Sequence, residues 1–253
     1  MKLWITRSLI LFPLLSLMGC GGSFKESRRE GTPDFQAAKA AFDRGDYIDA
    51  IPDFKAYVEQ FPGTDRTDDA LYYLGLSYIH EKDYALASAQ FDRLLRDFPT
   101  STLQADALLE LARCDDLQSH PAPLDQTETV RALTRYNQFV EQYPDHPRIG
   151  EAKARIRVLR DRLAEKLLRS GRLYSKLRKE RAAEFYLRKV LTQYPDSKWT
   201  SEATLLLASV LERQGRRSEA AEIRKNSAPA LNKDSKRKPD KRLRGSQASE
   251  APG

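Results

Sequence analysis

Four times this chain writes an aromatic residue, a proline and then small polar residues: Phe61-Pro62-Gly63-Thr64, Phe98-Pro99-Thr100-Ser101, Tyr143-Pro144-Asp145-His146 and Tyr194-Pro195-Asp196-Ser197. The surroundings repeat with the phrase. Twelve residues before each proline stands an alanine (Ala50, Ala87, Ala132, Ala183), and eight before stands a large residue (Phe54, Phe91, Tyr136, Leu187). Four before come Val58, Leu95, Val140 and Leu191. Eight after is again an alanine (Ala70, Ala107, Ala152, Ala203), and twelve after come Leu74, Leu111, Ile156 and Leu207. Steps of four place such residues on one face of a helix. Alanines allow two helices to approach closely, and the large side chains fill the remaining space. Proline lacks the N–H that would continue the first helix, and the Asp, Ser or Thr after it is expected to cap the next. Each phrase therefore predicts the turn between one helix pair and the following pair.

Leu74-Gly75, Tyr78, Ala87, Phe91 and Pro99 resemble the tetratricopeptide repeat, a helix–turn–helix of 34 residues. The prolines here lie 37, 45 and 51 residues apart, and the excess can be placed. Three extra residues follow each proline. Eight more precede Ala132, around Ser119-His120-Pro121-Ala122-Pro123, which reads as a loop. Fourteen more precede Ala183, where the helical stripe continues through Ile149, Ala152, Ile156, Leu159, Leu163, Leu167 and Tyr174 for about seven turns. Phe35, Ala38 and Phe42 supply a first helix, and Gly215 to Ala221 echoes Gly45 to Ile51 at the start of a last one. The expectation is an all-α tetratricopeptide-repeat superhelix (an α-solenoid) of five helix pairs and ten helices over 34–226, with a concave groove.

The ends read differently. Lys2 and Arg7 precede an apolar run, Leu9 to Leu17, broken only by Pro13 and Ser16 and ending at Leu17-Met18-Gly19-Cys20. Such a run is too short to span a bilayer, which takes about 20 residues. It predicts a cleaved signal segment, 1–19. The Leu-x-Gly-Cys ending resembles the bacterial lipobox, which implies lipid attachment at Cys20 and a membrane anchor without a transmembrane helix. No aspartate follows Cys20, which favours the outer membrane. Residues 20–33 read as a lipidated flexible tether. Residues 227–253, with Lys236-Arg237-Lys238 and Lys241-Arg242 among Pro, Ser and Gly, read as a disordered basic tail, open to contact with anionic lipid headgroups.

Nothing in the sequence arranges catalysis. Cys114 has no partner once Cys20 carries lipid, so it is expected in the core rather than in a disulfide. His80, His120 and His146 are far apart, no metal motif occurs, and no cofactor beyond the Cys20 lipid is expected. The pairs Asp68-Asp69 and Asp115-Asp116 read as solvated carboxylates at helix ends. Charge is more informative. Residues 34–147 carry 10 Lys/Arg against 21 Asp/Glu, a net of −11, while 148–189 carry 15 against 5, a net of +10. Opposed fields suggest separate partners or neighbouring subunits. Export argues against nucleic acid as the partner of the basic stretch.

Several segments carry a wider resemblance: Arg160-Asp161-Arg162-Leu163-Ala164-Glu165 with Tyr174 and Pro195, the stretch 91–99, and the stretch 136–144. With the lipobox, the tether and a long middle helix, they are similar to the BamD (YfiO) family of outer-membrane protein assembly lipoproteins over roughly 20–226. That resemblance implies a non-enzymatic, periplasm-facing subunit of the β-barrel assembly machinery. Its C-terminal repeats would dock on the POTRA domains of a BamA-type barrel subunit, beside other Bam lipoproteins. Its N-terminal repeats would receive unfolded outer-membrane protein clients. The docking residues expected from the basic stretch are Arg172, Lys176, Arg178, Lys179, Arg181 and Arg188. The chain departs from the family in the fourth repeat, where Leu177-Arg178-Lys179-Glu180 replaces a Gly-aromatic turn, and in its basic tail. The alternative is another repeat-bearing envelope lipoprotein, a cell-division or peptidoglycan-associated adaptor, although no heptad run of the kind such adaptors carry is present.

Overall fold

Ten helical segments and no strand make up the described residues, 33–225 of the computed structural model. The expectations for the signal segment, Cys20, the basic tail and all of the tether but Pro33 lie outside them. The helices are α1 (Phe35–Asp43), α2 (Tyr47–Gln60), α3 (Thr67–His80), α4 (Tyr84–Asp97), α5 (Gln104–Gln118), α6 (Thr127–Gln142), α7 (Ile149–Lys176), α8 (Glu180–Gln193) and α9 (Thr200–Arg213). A further helix, α10, occupies 217–225. Each of α1 to α9 packs on its chain neighbour, and the first helices of successive pairs also touch, α1 on α3, α3 on α5 and α7 on α9. This is the stacking of a helical-repeat solenoid. The five pairs are α1–α2, α3–α4, α5–α6, α7–α8 and α9–α10.

Within a pair, the close approach predicted from the small residues is present. A Cβ on Gly75 of α3 would lie 2.6 Å from the Phe91 ring of α4, and one on Gly171 of α7 would lie 2.7 Å from Leu187 of α8. Ala87 and Ala183, twelve residues after those glycines, are fully buried. The first and second helices of a pair are joined by one recurrent turn. The N–H of Asp83 reaches the Tyr78 carbonyl at 2.9 Å, that of Lys179 reaches Tyr174 at 2.9 Å, and that of Arg216 reaches Leu211 at 2.9 Å. These six-residue closures place one residue in the left-handed region: Gly45 (φ 84°), Lys82 (φ 62°), Arg178 (φ 57°) and Gly215 (φ 82°). Glycine adopts that conformation without strain, whereas a side chain adds about 1 kcal/mol. Lys82→Gly is therefore expected to raise stability by about 0.5–1 kcal/mol, read as a higher thermal midpoint; a lower midpoint would contradict the turn geometry.

Between pairs, the repeated phrase works differently from the cap expected of it. The residues at the N-cap positions of α3, α5, α7 and α9 are Arg66, Leu103, Arg148 and Trp199, and none caps through its side chain. The polar residue two after the proline instead accepts the N–H two positions further on: Leu103 to Ser101 at 3.1 Å, Arg148 to His146 at 3.2 Å and Trp199 to Ser197 at 3.3 Å. The residue five after the proline closes back on the carbonyl of the phrase's aromatic residue. Thr67 donates to Phe61 at 2.5 Å, Gln104 to Phe98 at 2.7 Å and Thr200 to Tyr194 at 3.0 Å. Ser101 and Ser197 also donate to Asp68 and Asp161, at 2.6 and 2.7 Å, tying each turn to the preceding pair.

The two large irregularities are absorbed where the spacing placed them. Residues 119–126 form the loop between α5 and α6. Helix α7 runs for 28 residues, about 42 Å. Its first half buries Ala152 and Leu159 with Tyr136 and Phe139 of α6, and its second half buries Ala164 and Leu168 with Ala183 and Leu187 of α8. Fourteen inserted residues are about 3.9 turns, so the apolar stripe returns almost to the same face and one helix serves two pairs.

Cys114 is fully buried and free, and burial pushes its thiol up to about 12, which leaves it unreactive. Asp115 and Asp116 correct the expectation of solvated carboxylates: they are 2% and 7% exposed. Arg131 and Arg135 of α6 hold Asp115 at 2.9 and 2.7 Å, and Arg155 of α7 holds Asp116 at 2.5 Å. Glu110, one turn earlier, is equally buried and meets Arg148 at 2.8 Å. Carboxylates this deep require partners, and here the next two helices supply them.

Candidate functional site

The six docking residues expected from the basic stretch divide once the ion pairs are traced. Arg172 is bound to Glu202 of α9, and Arg188 to Glu184 at 2.8 Å and to Glu219 of α10. Both are spent inside the repeat array. Lys176, Arg178, Lys179 and Arg181 are exposed and lie together around the α7–α8 turn. Glu180, in their midst, is drawn off by Arg213 of α9 at 2.8 Å. Among the described residues, none of these four cations forms an ion pair, although Arg178 helps Arg213 to hold Glu180 ionised. Much of the +10 segment is cancelled in the same way, since Arg148 and Arg155 answer Glu110 and Asp116 of the acidic half. The opposed fields read along the chain are therefore narrower in space than in sequence.

The turn has a fixed shape. Lys176 ends α7, Arg178 takes the left-handed position, Lys179 precedes the first residue of α8, and Arg181 lies in the first turn of that helix. Large apolar side chains are exposed beside them: Leu173 (54%), Leu177 (54%) and Phe185 (53%). Lys189 places its ammonium 4.4 Å above the Phe185 ring. Beneath, Tyr174 and Tyr186 stack at 5.4 Å, joining the two helices. Apolar groups rimmed by unpaired cations suit a partner surface that is apolar at its centre and acidic at its edge. Sequence reasoning located the cations and missed Leu173, Leu177, Phe185 and Lys189. The available signal was that Phe185 stands two residues from both Ala183 and Leu187, off the buried face of α8.

A second surface lies at the other end of the array. Tyr47 stacks on His80 at 3.8 Å, Phe42 meets Tyr73 edge-on at 5.1 Å, and Lys39 sits 4.7 Å over the Tyr73 ring. This places aromatic faces from α1, α2 and α3 together in the first repeats.

A family model described as YfiO, outer membrane lipoprotein, matches residues 30–226, the whole repeat array. The chain belongs to the YfiO family. Among its relatives, the outer membrane protein assembly factor BamD of Haemophilus influenzae is 27% identical over 221 residues, covering 83% of this chain and 84% of that protein. The protein of the same name from Pasteurella multocida is 24% identical, covering 81% of this chain and 82% of its own length. A thermophilic tetratricopeptide-repeat protein of Thermus thermophilus is similar at 18% identity and a TM-score of 0.37, over 79% of this chain and 90% of that one. For a member of a family described as outer membrane lipoproteins, one further fact is relevant: no helix among the described residues is long and apolar enough to cross a membrane.

Electrostatics distinguish the end of this YfiO-family array that carries the cationic turn. Arg213 holds Glu180 below the usual carboxylate range, and Arg160 does the same for Asp196. Burial works against ionisation of Glu184, but hydrogen bonds from Arg188, Arg216 and Gln214 prevail and lower it. Groups lowered in the folded state contribute stability at neutral pH that is lost as pH falls through the ordinary carboxylate range and below. Asp115 goes the other way: burial raises it despite Arg135 and Arg131, so protonation there relieves rather than costs. Acidification should therefore weaken the last two pairs before the earlier ones. Trp199 reports this directly, since Trp4 is the only other tryptophan in the sequence and precedes residue 20. In a chain beginning after residue 19, lowering the pH from 7 to 4 is expected to move the Trp199 fluorescence transition below the whole-chain helix transition. Coincident transitions at both pH values would refute this.

Proposed function

We propose that this chain is a periplasm-facing, lipid-anchored subunit of the outer-membrane β-barrel assembly machinery, acting as a scaffold rather than a catalyst. The observation that carries the reading is the match of its entire repeat array to the YfiO family model, together with relatives named as outer membrane protein assembly factors over 83% and 81% of the chain. The structure supplies surfaces suited to such a role. The α7–α8 turn, with Lys176, Arg178, Lys179 and Arg181 around Leu173, Leu177 and Phe185, would dock the periplasmic POTRA domains of a BamA-type barrel subunit. Arg172 and Arg188 would support that turn by anchoring α7 and α8 to the last pair. The aromatic faces of Tyr47, Tyr73 and Phe42 would receive an extended apolar segment of an unfolded barrel client. A rigid array presents these surfaces preformed, so little ordering entropy is lost on binding. Cys20 would carry the lipid, and no cofactor or metal enters the mechanism.

The test is purification of the tagged, lipidated protein from its own envelope in mild detergent, with the accompanying chains identified by mass spectrometry. A stoichiometric barrel protein with repeated periplasmic domains is the expected result. Division or peptidoglycan-binding proteins in its place would overturn the reading.

A further inference from the structure

We propose that the cleft between the 119–126 loop and the middle of α7 is a second docking site, taking a partner-protein loop with a carboxylate beside an aliphatic side chain. It lies apart from the α7–α8 turn and does not depend on the assembly reading. Both irregularities of the repeat spacing converge here. The eight extra residues before Ala132 form one wall, the extra turns of α7 form the floor, and the α8–α9 turn closes the side through Lys198. In helical-repeat arrays, insertions collect in loops on one face, often the binding face.

The cleft measures about 290 Å³. Its apolar surface comes from Pro121, Pro123 and Val158, and Val158 is 44% exposed. Leu124 of the same loop is also exposed. The wall is held rigid. The Gln126 side-chain amide donates to the carbonyls of Pro121 and Asp125, both at 2.9 Å, and Thr129 donates to the Gln126 carbonyl oxygen at 2.9 Å. Lys166 donates to the Leu124 carbonyl at 2.9 Å, and Arg162 donates to Ser119. A loop fixed at so many points loses little freedom on binding.

Charge selects the occupant. Three cations of the lining, Arg162, Arg169 and Lys198, meet two carboxylates, Asp161 and Glu165, which leaves a net positive charge. Asp161 accepts from Ser197 at 2.7 Å and from the Lys198 N–H at 3.0 Å, and Glu165 is paired with Arg169 at 2.6 Å. Arg162 and the Lys198 ammonium have no carboxylate partner, Lys198 resting 5.1 Å from the Trp199 ring. A net positive lining, with two cations outside any ion pair, beside proline and valine surfaces fits an acidic side chain flanked by an aliphatic one. A lipid headgroup would leave the apolar wall uncovered.

The test places a photo-reactive benzophenone amino acid at Val158 in the full lipidated chain in its own envelope, with cross-linked peptides mapped by mass spectrometry. The expected product is one partner-protein site at which Asp or Glu neighbours Val, Leu or Ile. Lys198→Glu, which leaves the backbone bond to Asp161 in place, should lower the yield about tenfold. Changing the mapped partner acid to lysine in that background should restore it. Cross-links confined to lipid or to a second copy of this chain, no cross-link, or a yield indifferent to Lys198→Glu would each overturn the proposal. Co-purification of the barrel subunit through the α7–α8 turn should be unchanged by Lys198→Glu, which separates this test from that of the proposed function.

Discussion

Replacing Arg178, Lys179 and Arg181 together by glutamate is expected to abolish recovery of the barrel subunit from detergent extracts while leaving helicity as in the parent chain. None of the three forms an ion pair inside the fold, and all are exposed at one turn. Their loss therefore removes no internal ion pair. Glutamate in the first turn of α8 is favourable to the helix dipole, so the turn should survive reversal. Each reversed position turns an attraction to an acidic partner into a like-charge contact costing several kcal/mol, and together they should lower affinity at least about a hundredfold. Arg172→Glu is the informative contrast. It breaks the bond to Glu202, so it should reduce the stability of the α7–α9 packing. Unchanged capture by the triple variant would remove the α7–α8 turn from the function.

Gly75→Leu is expected to cost at least about 3 kcal/mol, enough to unfold the second pair in urea well before the parent chain. An exposed mid-helix glycine would gain about 1 kcal/mol on becoming alanine. Here the added Cβ would stand 2.6 Å from one carbon of the Phe91 ring and 2.7 Å from the next. That ring is fully buried and lies edge-on to Tyr72 at 5.8 Å, so it has nowhere to turn. Helices α3 and α4 must separate, and their common core opens. Gly75→Ala should be intermediate, and Phe91→Leu should reduce its cost in a double-mutant cycle, since the two positions share one contact. Additive effects would show that the close approach does not govern this pair. At Gly171 the facing group is Leu187, whose branched side chain can change rotamer, so the same alanine substitution should cost less.

The repeat architecture was legible in the sequence because it depends on local spacing. Alanines, large apolar residues and prolines at fixed separations determine which face of each helix is buried, and a chain with period four around a proline has few other ways to bury it. The fourteen-residue insertion was equally legible, being close to a whole number of turns. The details of the turns were not. Ser101 and Ser197 were expected to cap helices, but they bridge to Asp68 and Asp161 of the preceding pair, a choice made by neighbours 33 and 36 residues away.

The candidate site divides along the same line. Composition alone showed that 148–189 is basic, and the sequence by itself determined that its cations would lie near the α7–α8 turn. Which of those cations are available was decided only by tertiary structure. Arg172 and Arg188 are neutralised by Glu202 and Glu219 from the last pair, while Lys176, Arg178, Lys179 and Arg181 are not. Asp115 and Asp116, read as solvated, were buried by arginines of α6 and α7. Helix faces follow from periodicity within one helix, whereas ion pairing depends on which helix is stacked beside it, and that is known only after the repeats are assembled.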